Sequence, residues 1–130
     1  MPQRKGCGME KNFTVDQIKT ALLAIQDKIT EPQRAMLKGH SENGLASMKK
    51  IAEFGGYASV SAGNLQYGTL CGRIASELGF VSPGDKTYVI ATVSRKKDAN
   101  QHVQWRMDKV VIKALQELGW VNPTRKRPQN

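Results

Sequence analysis

The sequence predicts an α+β fold: a helical N-terminal half with a helix-turn-helix, then a two-stranded β-hairpin wing and a C-terminal helix, a winged-helix-like order. Three observations predict it. Capping signatures and apolar stripes at helical spacing mark helices as far as Leu78. Two short runs rich in β-branched and aromatic residues, separated by a polar turn, mark a hairpin. A last apolar stripe follows Asp108. A chain of 130 residues suits one domain, placed at 12–121 between a basic arm at 1–11 and a basic tail at 122–130.

The first helix begins at Thr14-Val15-Asp16-Gln17, a capping box in which the Thr14 hydroxyl and the Gln17 side chain satisfy each other's backbone amides. Its stripe is Val15, Ile18, Leu22, Ile25 and Ile29. Thr30-Glu31-Pro32-Gln33 repeats the signature, with proline in the first turn where its missing amide proton costs nothing. In this second helix Met36 and Leu37 are the expected core residues. The run Gly39-His40-Ser41-Glu42-Asn43-Gly44 is a loop by composition, with His40 exposed on it.

Ser47 caps a third, short helix over Met48–Phe54 that turns Ile51, Ala52 and Phe54 inward and stops at Gly55-Gly56. A fourth helix runs from about Ser61 to Leu78 and ends at Gly79. Short helix, glycine turn, longer helix is the order of a helix-turn-helix. On a helical wheel Tyr67, Leu70, Cys71, Ile74 and Leu78 form a core side of the fourth helix. Ser61, Leu65, Gly68, Thr69, Gly72 and Ser76 form an opposite side of mostly small residues. Glycine inside a helix costs up to about 1 kcal/mol against alanine, so Gly68 and Gly72 ask for a compensating close approach. Another helix of the fold packed on that side is one reading; a DNA or partner surface is the other.

Pro83-Gly84-Asp85 breaks the chain, and Thr87–Val93 reads as a strand. The polar turn Arg95–Gln101 joins it to His102–Met107, where Val103, Trp105 and Met107 alternate with polar neighbours. Asp108 is the expected N-cap of the last helix, with Val111, Ile112, Leu115 and Leu118 as its stripe and Gly119 as its stop. Trp120 and Val121 pack back.

Charge points to a class of partner. Twenty Lys and Arg against eleven Asp and Glu leave a formal charge of +9, a field that favours polyanions. The wing tip gathers Arg95, Lys96 and Lys97, where a wing meets phosphates. Lys49 and Lys50 in the third helix, Arg73 in the fourth and Arg125, Lys126 and Arg127 in the tail are further candidate phosphate contacts. The start of the fourth helix offers Ser59, Ser61, Asn64 and Gln66 to base edges, since amide side chains pair with adenine in bidentate fashion. Asn64 and Gln66 could equally brace the turn.

Other chemistry finds no motif. His40 and His102 stand in unrelated contexts, without paired carboxylates or a nucleophile, so no catalytic role and no cofactor or metal are expected. The glycines lack the strand-glycine-helix order of a phosphate loop. Cys7 and Cys71 suggest neither a disulfide framework nor a closed metal site, and no apolar run reaches membrane length. A reducing cytoplasm and DNA follow as the expected location and partner. A protein-interaction or inhibitor module, docking an acidic protein surface through the Leu65-Gly68-Gly72 side and the wing, is the alternative.

Three segments carry a resemblance: Ile51-Ala52-Glu53-Phe54-Gly55-Gly56-Tyr57, Asn64-Leu65-Gln66-Tyr67-Gly68 and Ala114-Leu115-Gln116-Glu117-Leu118-Gly119-Trp120-Val121. Together they resemble small bacterial and phage winged-helix-like modules associated with HNH-type nucleases and restriction-like systems. The resemblance spans about Thr30 to Val121 and implies DNA binding, with Asn64, Gln66 and Tyr67 at its most distinctive motif. No nuclease motif accompanies it.

Overall fold

A computed structural model describes residues 11–122. Five helices surround a small antiparallel sheet of three strands. In chain order they are α1 (Val15–Ile25), α2 (Glu31–Asn43), β1 (Leu45–Ser47), α3 (Met48–Phe54), α4 (Val60–Leu78), β2 (Ala91–Val93), β3 (Gln104–Met107) and α5 (Lys109–Glu117). No helix among the described residues is long and apolar enough to cross a membrane.

Both capping boxes form as the sequence predicts. The amide of Gln17 donates to the Thr14 hydroxyl at 3.1 Å and that of Gln33 to the Thr30 hydroxyl at 3.2 Å, while each glutamine side chain accepts from the cap residue's amide. Such a cap is worth about 1 kcal/mol. Ser47 and Ser59 cap α3 and α4 without a reciprocal bond, their hydroxyls accepting from the amides of Lys50 and Ala62, and Gly79 ends α4 in the left-handed conformation at φ 67°.

Helix α2 runs through the stretch expected to be a loop. It reaches Asn43 and stops at Gly44 (φ 76°), with His40 and Ser41 buried. Tertiary burial overrides the polar composition here. Lys38 and Glu42 pair at 2.8 Å along the outer side, and the Asn43 side chain donates to the Gly39 carbonyl. His40 is therefore a core residue, not an exposed one.

The strand expected over Thr87–Val93 is divided. Asp85 accepts from the Thr87 amide at 3.0 Å and nucleates a 3-10 turn, Lys86–Val89, so that only Ala91–Val93 is extended. Val89, Ile90 and Ala91 are all buried in succession, which a flat, alternating strand with one wet face could not achieve. The other hairpin strand begins at Gln104 rather than His102. The third strand, β1, pairs with β3 in the register Leu45↔Arg106, Ala46↔Trp105 and Ser47↔Gln104, giving the order β1-β3-β2.

The core lies between the helices and the inner face of this sheet. Ile18 and Leu22 of α1, Met36 and Leu37 of α2, Ile51 of α3 and Leu70 and Ile74 of α4 meet Trp105, Met107 and Leu115 there. Each of the larger aliphatic side chains contributes roughly 1.5–3 kcal/mol on full burial. Helix α4 is the hub, packed against α1, α3 and the 3-10 turn. It meets α3 at Gly63, where a Cβ would run into Ala52. The α3–α4 pair thus closes on a glycine other than the two that the wheel singled out.

Lys11 and Asn122, the first and last described residues, are both tied to the fold. Lys11, assigned to the arm, forms an ion pair with Asp108 at 2.7 Å and donates to the carbonyls of Tyr88 and Ala91. Asp108 in turn makes no side-chain cap on α5; its carboxylate is taken by Lys11 and by the Thr92 hydroxyl at 3.1 Å. The Asn122 amide, assigned to the tail, donates to Glu42.

Candidate nucleic-acid interface

The connection between β2 and β3 is a loop closed by its own hydrogen bonds. Asp98 organises it: one carboxylate oxygen accepts from the amides of Asn100 (2.8 Å) and His102 (2.9 Å), and its own amide donates to the His102 carbonyl. The bond from the His102 amide is the main cause holding the Asp98 carboxyl below its ordinary range. Gln101 takes a positive φ of 66° to close the turn. Nearer the strands, the Lys96 amide donates to the Ser94 hydroxyl, and the Gln104 side chain donates to the Lys96 carbonyl.

On this frame Arg95, Lys96 and Lys97 stand exposed, and no carboxylate among the described residues pairs with any of them. Their charge is directed at solvent. The same loop borders a polar recess of about 350 Å³, with Asp98, Asn100 and His102 on one wall and Lys49, Lys50 and Glu53 of α3 on the other. Pairing of β1 with β3 creates it, because Ser47, the cap of α3, lies opposite Gln104 at the base of the loop. The fold thereby sets the loop that carries Arg95–Lys97 across the recess from Lys49 and Lys50, although the loop residues on the recess wall are Asp98, Asn100 and His102. Lys50 leans towards Glu53 at 3.9 Å, with both side chains more than half exposed, so the pair holds the lysine only weakly.

The candidates on α4 divide by direction. Ser61 and Asn64 are exposed beside Leu65, itself 65% exposed. Ser59 is occupied as the N-cap, accepting from the Ala62 amide at 3.1 Å. Gln66 faces α2, where Gln33 donates to its carbonyl at 3.2 Å and to its side-chain oxygen at 3.4 Å. Arg73 donates to the Lys28 carbonyl at 3.3 Å. Tyr67 is fully buried, with its hydroxyl on His40. Gln66 and Tyr67 therefore act as braces. Arg125, Lys126 and Arg127, like most of the basic arm and Cys7, lie outside the described residues.

The small-residue side of α4 is open. No heavy atom lies within 4 Å of where a Cβ on Gly68 would stand, so the expected helix packed against that glycine is not there. At Gly72 the neighbour is the stem of Lys86, whose Cδ would be 3.5 Å from such a Cβ. Lys86 thus reaches the outer side of α4 from the 3-10 turn. Sequence reasoning missed it, since only the packing of the turn on α4 brings the two together.

Comparison of the chain with models of protein families, with curated proteins and with solved structures returned no match.

Proposed function

We propose that this domain is a non-catalytic, winged-helix-like module that binds double-stranded DNA. One observation carries the reading: the exposed, unpaired Arg95, Lys96 and Lys97 stand on a pre-ordered hairpin whose base shares a recess with Lys49 and Lys50. Two cationic clusters held by a rigid frame neutralise phosphates without a large ordering cost, and phosphate contacts of this kind set register on a duplex. The chain order α2-β1-α3-α4-β2-β3 and the sheet order β1-β3-β2 support the winged-helix part of this reading. In it, α4 offers its open side to the groove while the hairpin and α3 hold the backbone.

The test is fluorescence anisotropy of a labelled random duplex titrated with the whole chain over a salt series, beside a Lys96→Ala/Lys97→Ala variant. Affinity should fall steeply with salt. The log–log slope should be shallower in the variant by about 1–2, since each phosphate that a lysine neutralises adds about 0.9 to it. No binding at low salt would overturn the reading. It would favour docking on a protein surface, for which the exposure of Leu65 beside the open Gly68 is the specific supporting observation.

A further inference from the structure

The outer side of α4 has an unusual charge pattern for a basic chain. From Val60 to Gly72 the helix contains no charged residue, although the chain carries +9. What its N-terminal half presents to solvent is Val60 (44% exposed), Ser61, Asn64 and Leu65 (65% exposed). One turn on, Gly68 leaves the backbone uncovered. The Asn64 side chain makes no hydrogen bond among the described residues, in contrast to Gln66.

Base edges in the major groove are distinguished by side-chain chemistry. Guanine is matched by Arg or Lys, cytosine by a carboxylate, adenine by Asn or Gln, and the thymine methyl by an apolar group. The exposed part of α4 before Arg73 lacks the first two kinds and holds the last two on adjacent residues. The cations that match phosphates lie on other elements, at Lys49, Lys50, Arg95, Lys96 and Lys97, and Lys86 joins them beside Gly72. On the DNA-binding reading, charge complements the backbone, and the uncharged stretch of α4 before Arg73 is left for the base edges.

Resting on the DNA-binding reading above, we propose that α4 selects A·T base pairs in the major groove. The Asn64 amide accepts from adenine N6 and donates to adenine N7, and the Leu65 side chain covers the 5-methyl group of a thymine. Gly68 lets the helix backbone approach the base edges.

The experiment compares four duplexes of equal length at one salt concentration: alternating dA·dT, alternating dG·dC, dA·dU, which lacks the methyl groups, and dI·dC. Inosine keeps the major-groove edge of guanine but lacks the minor-groove amino group, so dI·dC separates the two grooves. The wild-type chain should bind dA·dT at least about fivefold more tightly than dG·dC, with dI·dC resembling dG·dC and dA·dU intermediate. Leu65→Ala should abolish the difference between dA·dT and dA·dU, and Asn64→Ala should reduce the preference over dG·dC. Both side chains are exposed, so circular dichroism should show both variants folded. Equal binding to dA·dT and dG·dC would overturn the selection while leaving DNA binding intact. Binding of dI·dC as tight as dA·dT would move selection to the minor groove and also overturn it. Failure to bind all four at low salt would overturn the DNA reading itself.

Discussion

The hydroxyl of Tyr67 on α4 donates to Nδ1 of His40 on α2 at 2.8 Å, while Nε2 of the same ring donates to the Trp105 carbonyl on β3 at 2.8 Å. A carbonyl can only accept, so the Nε2 proton is fixed and Nδ1 is left as the acceptor for the phenol. The two bonds join the second helix, the central helix and the middle strand through groups that are wholly buried. Burial raises the tyrosine's pKa well above its ordinary value and keeps it a donor.

Tyr67→Phe should therefore destabilise the domain by about 1–3 kcal/mol, because the mutation leaves a buried imidazole nitrogen without its donor at almost unchanged volume. Urea denaturation followed by circular dichroism measures it. An unchanged midpoint would mean that the hydroxyl contributes nothing to stability.

The same histidine makes stability depend on pH. Burial, the largest cause, lowers its pKa below the ordinary value of 6.5, against opposing contributions from the Trp105 carbonyl and the charge of Asp108. The unfolded chain then takes up a proton at a pH where the folded chain does not. The contribution is complete above 6.5 and is lost progressively as pH falls from 6.5 towards the folded-state value. Thermal melts from about pH 7.5 to about pH 5 should show a falling midpoint, and that fall should be smaller in His40→Gln.

Two glycines of one helix should respond oppositely to the same substitution. Gly68→Ala places a methyl in open space and should stabilise by up to about 1 kcal/mol through helix propensity. Gly63→Ala places it against the Cβ and Cα of Ala52 and should destabilise by about 1–3 kcal/mol, since α3 and α4 must separate. Equal effects in denaturant titrations would contradict the packing of α3 on α4.

Lys11→Ala should cost about 1.5–3 kcal/mol. It removes a charged donor from the carbonyls of Tyr88 (2.7 Å) and Ala91 (3.0 Å) and leaves Asp108 without its cation. The pair is mostly shielded from solvent, at 11% and 22% side-chain exposure, so salt screens it less than a surface pair. Comparison of unfolding midpoints with a truncation that removes residues 1–10 separates Lys11 from the arm before it.

What the sequence determined by itself was whatever its neighbours in the chain could decide. A threonine three residues before a glutamine makes a cap at both Thr14 and Thr30, Gly79 ends a helix because glycine accepts that backbone without strain, and the polar Arg95–Gln101 run must turn. The exposed basic cluster was legible for the same reason. Only the tertiary structure decided what depends on residues far along the chain. His40 is polar and lies in a polar run, but its partners stand 27 and 65 positions away, and they turn an apparent loop into helix. β1 is three residues long, too short for any periodicity, and exists because β3 offers it an edge. Gln66 and Asn64, alike in chemistry and two residues apart, part company because a helix turns about 200° between them, setting one against Gln33 and the other in solvent. Helical periodicity reveals that a face exists; only packing decides whether it is covered, and on the small-residue side of α4 it leaves Gly68 open while Lys86 lies against Gly72.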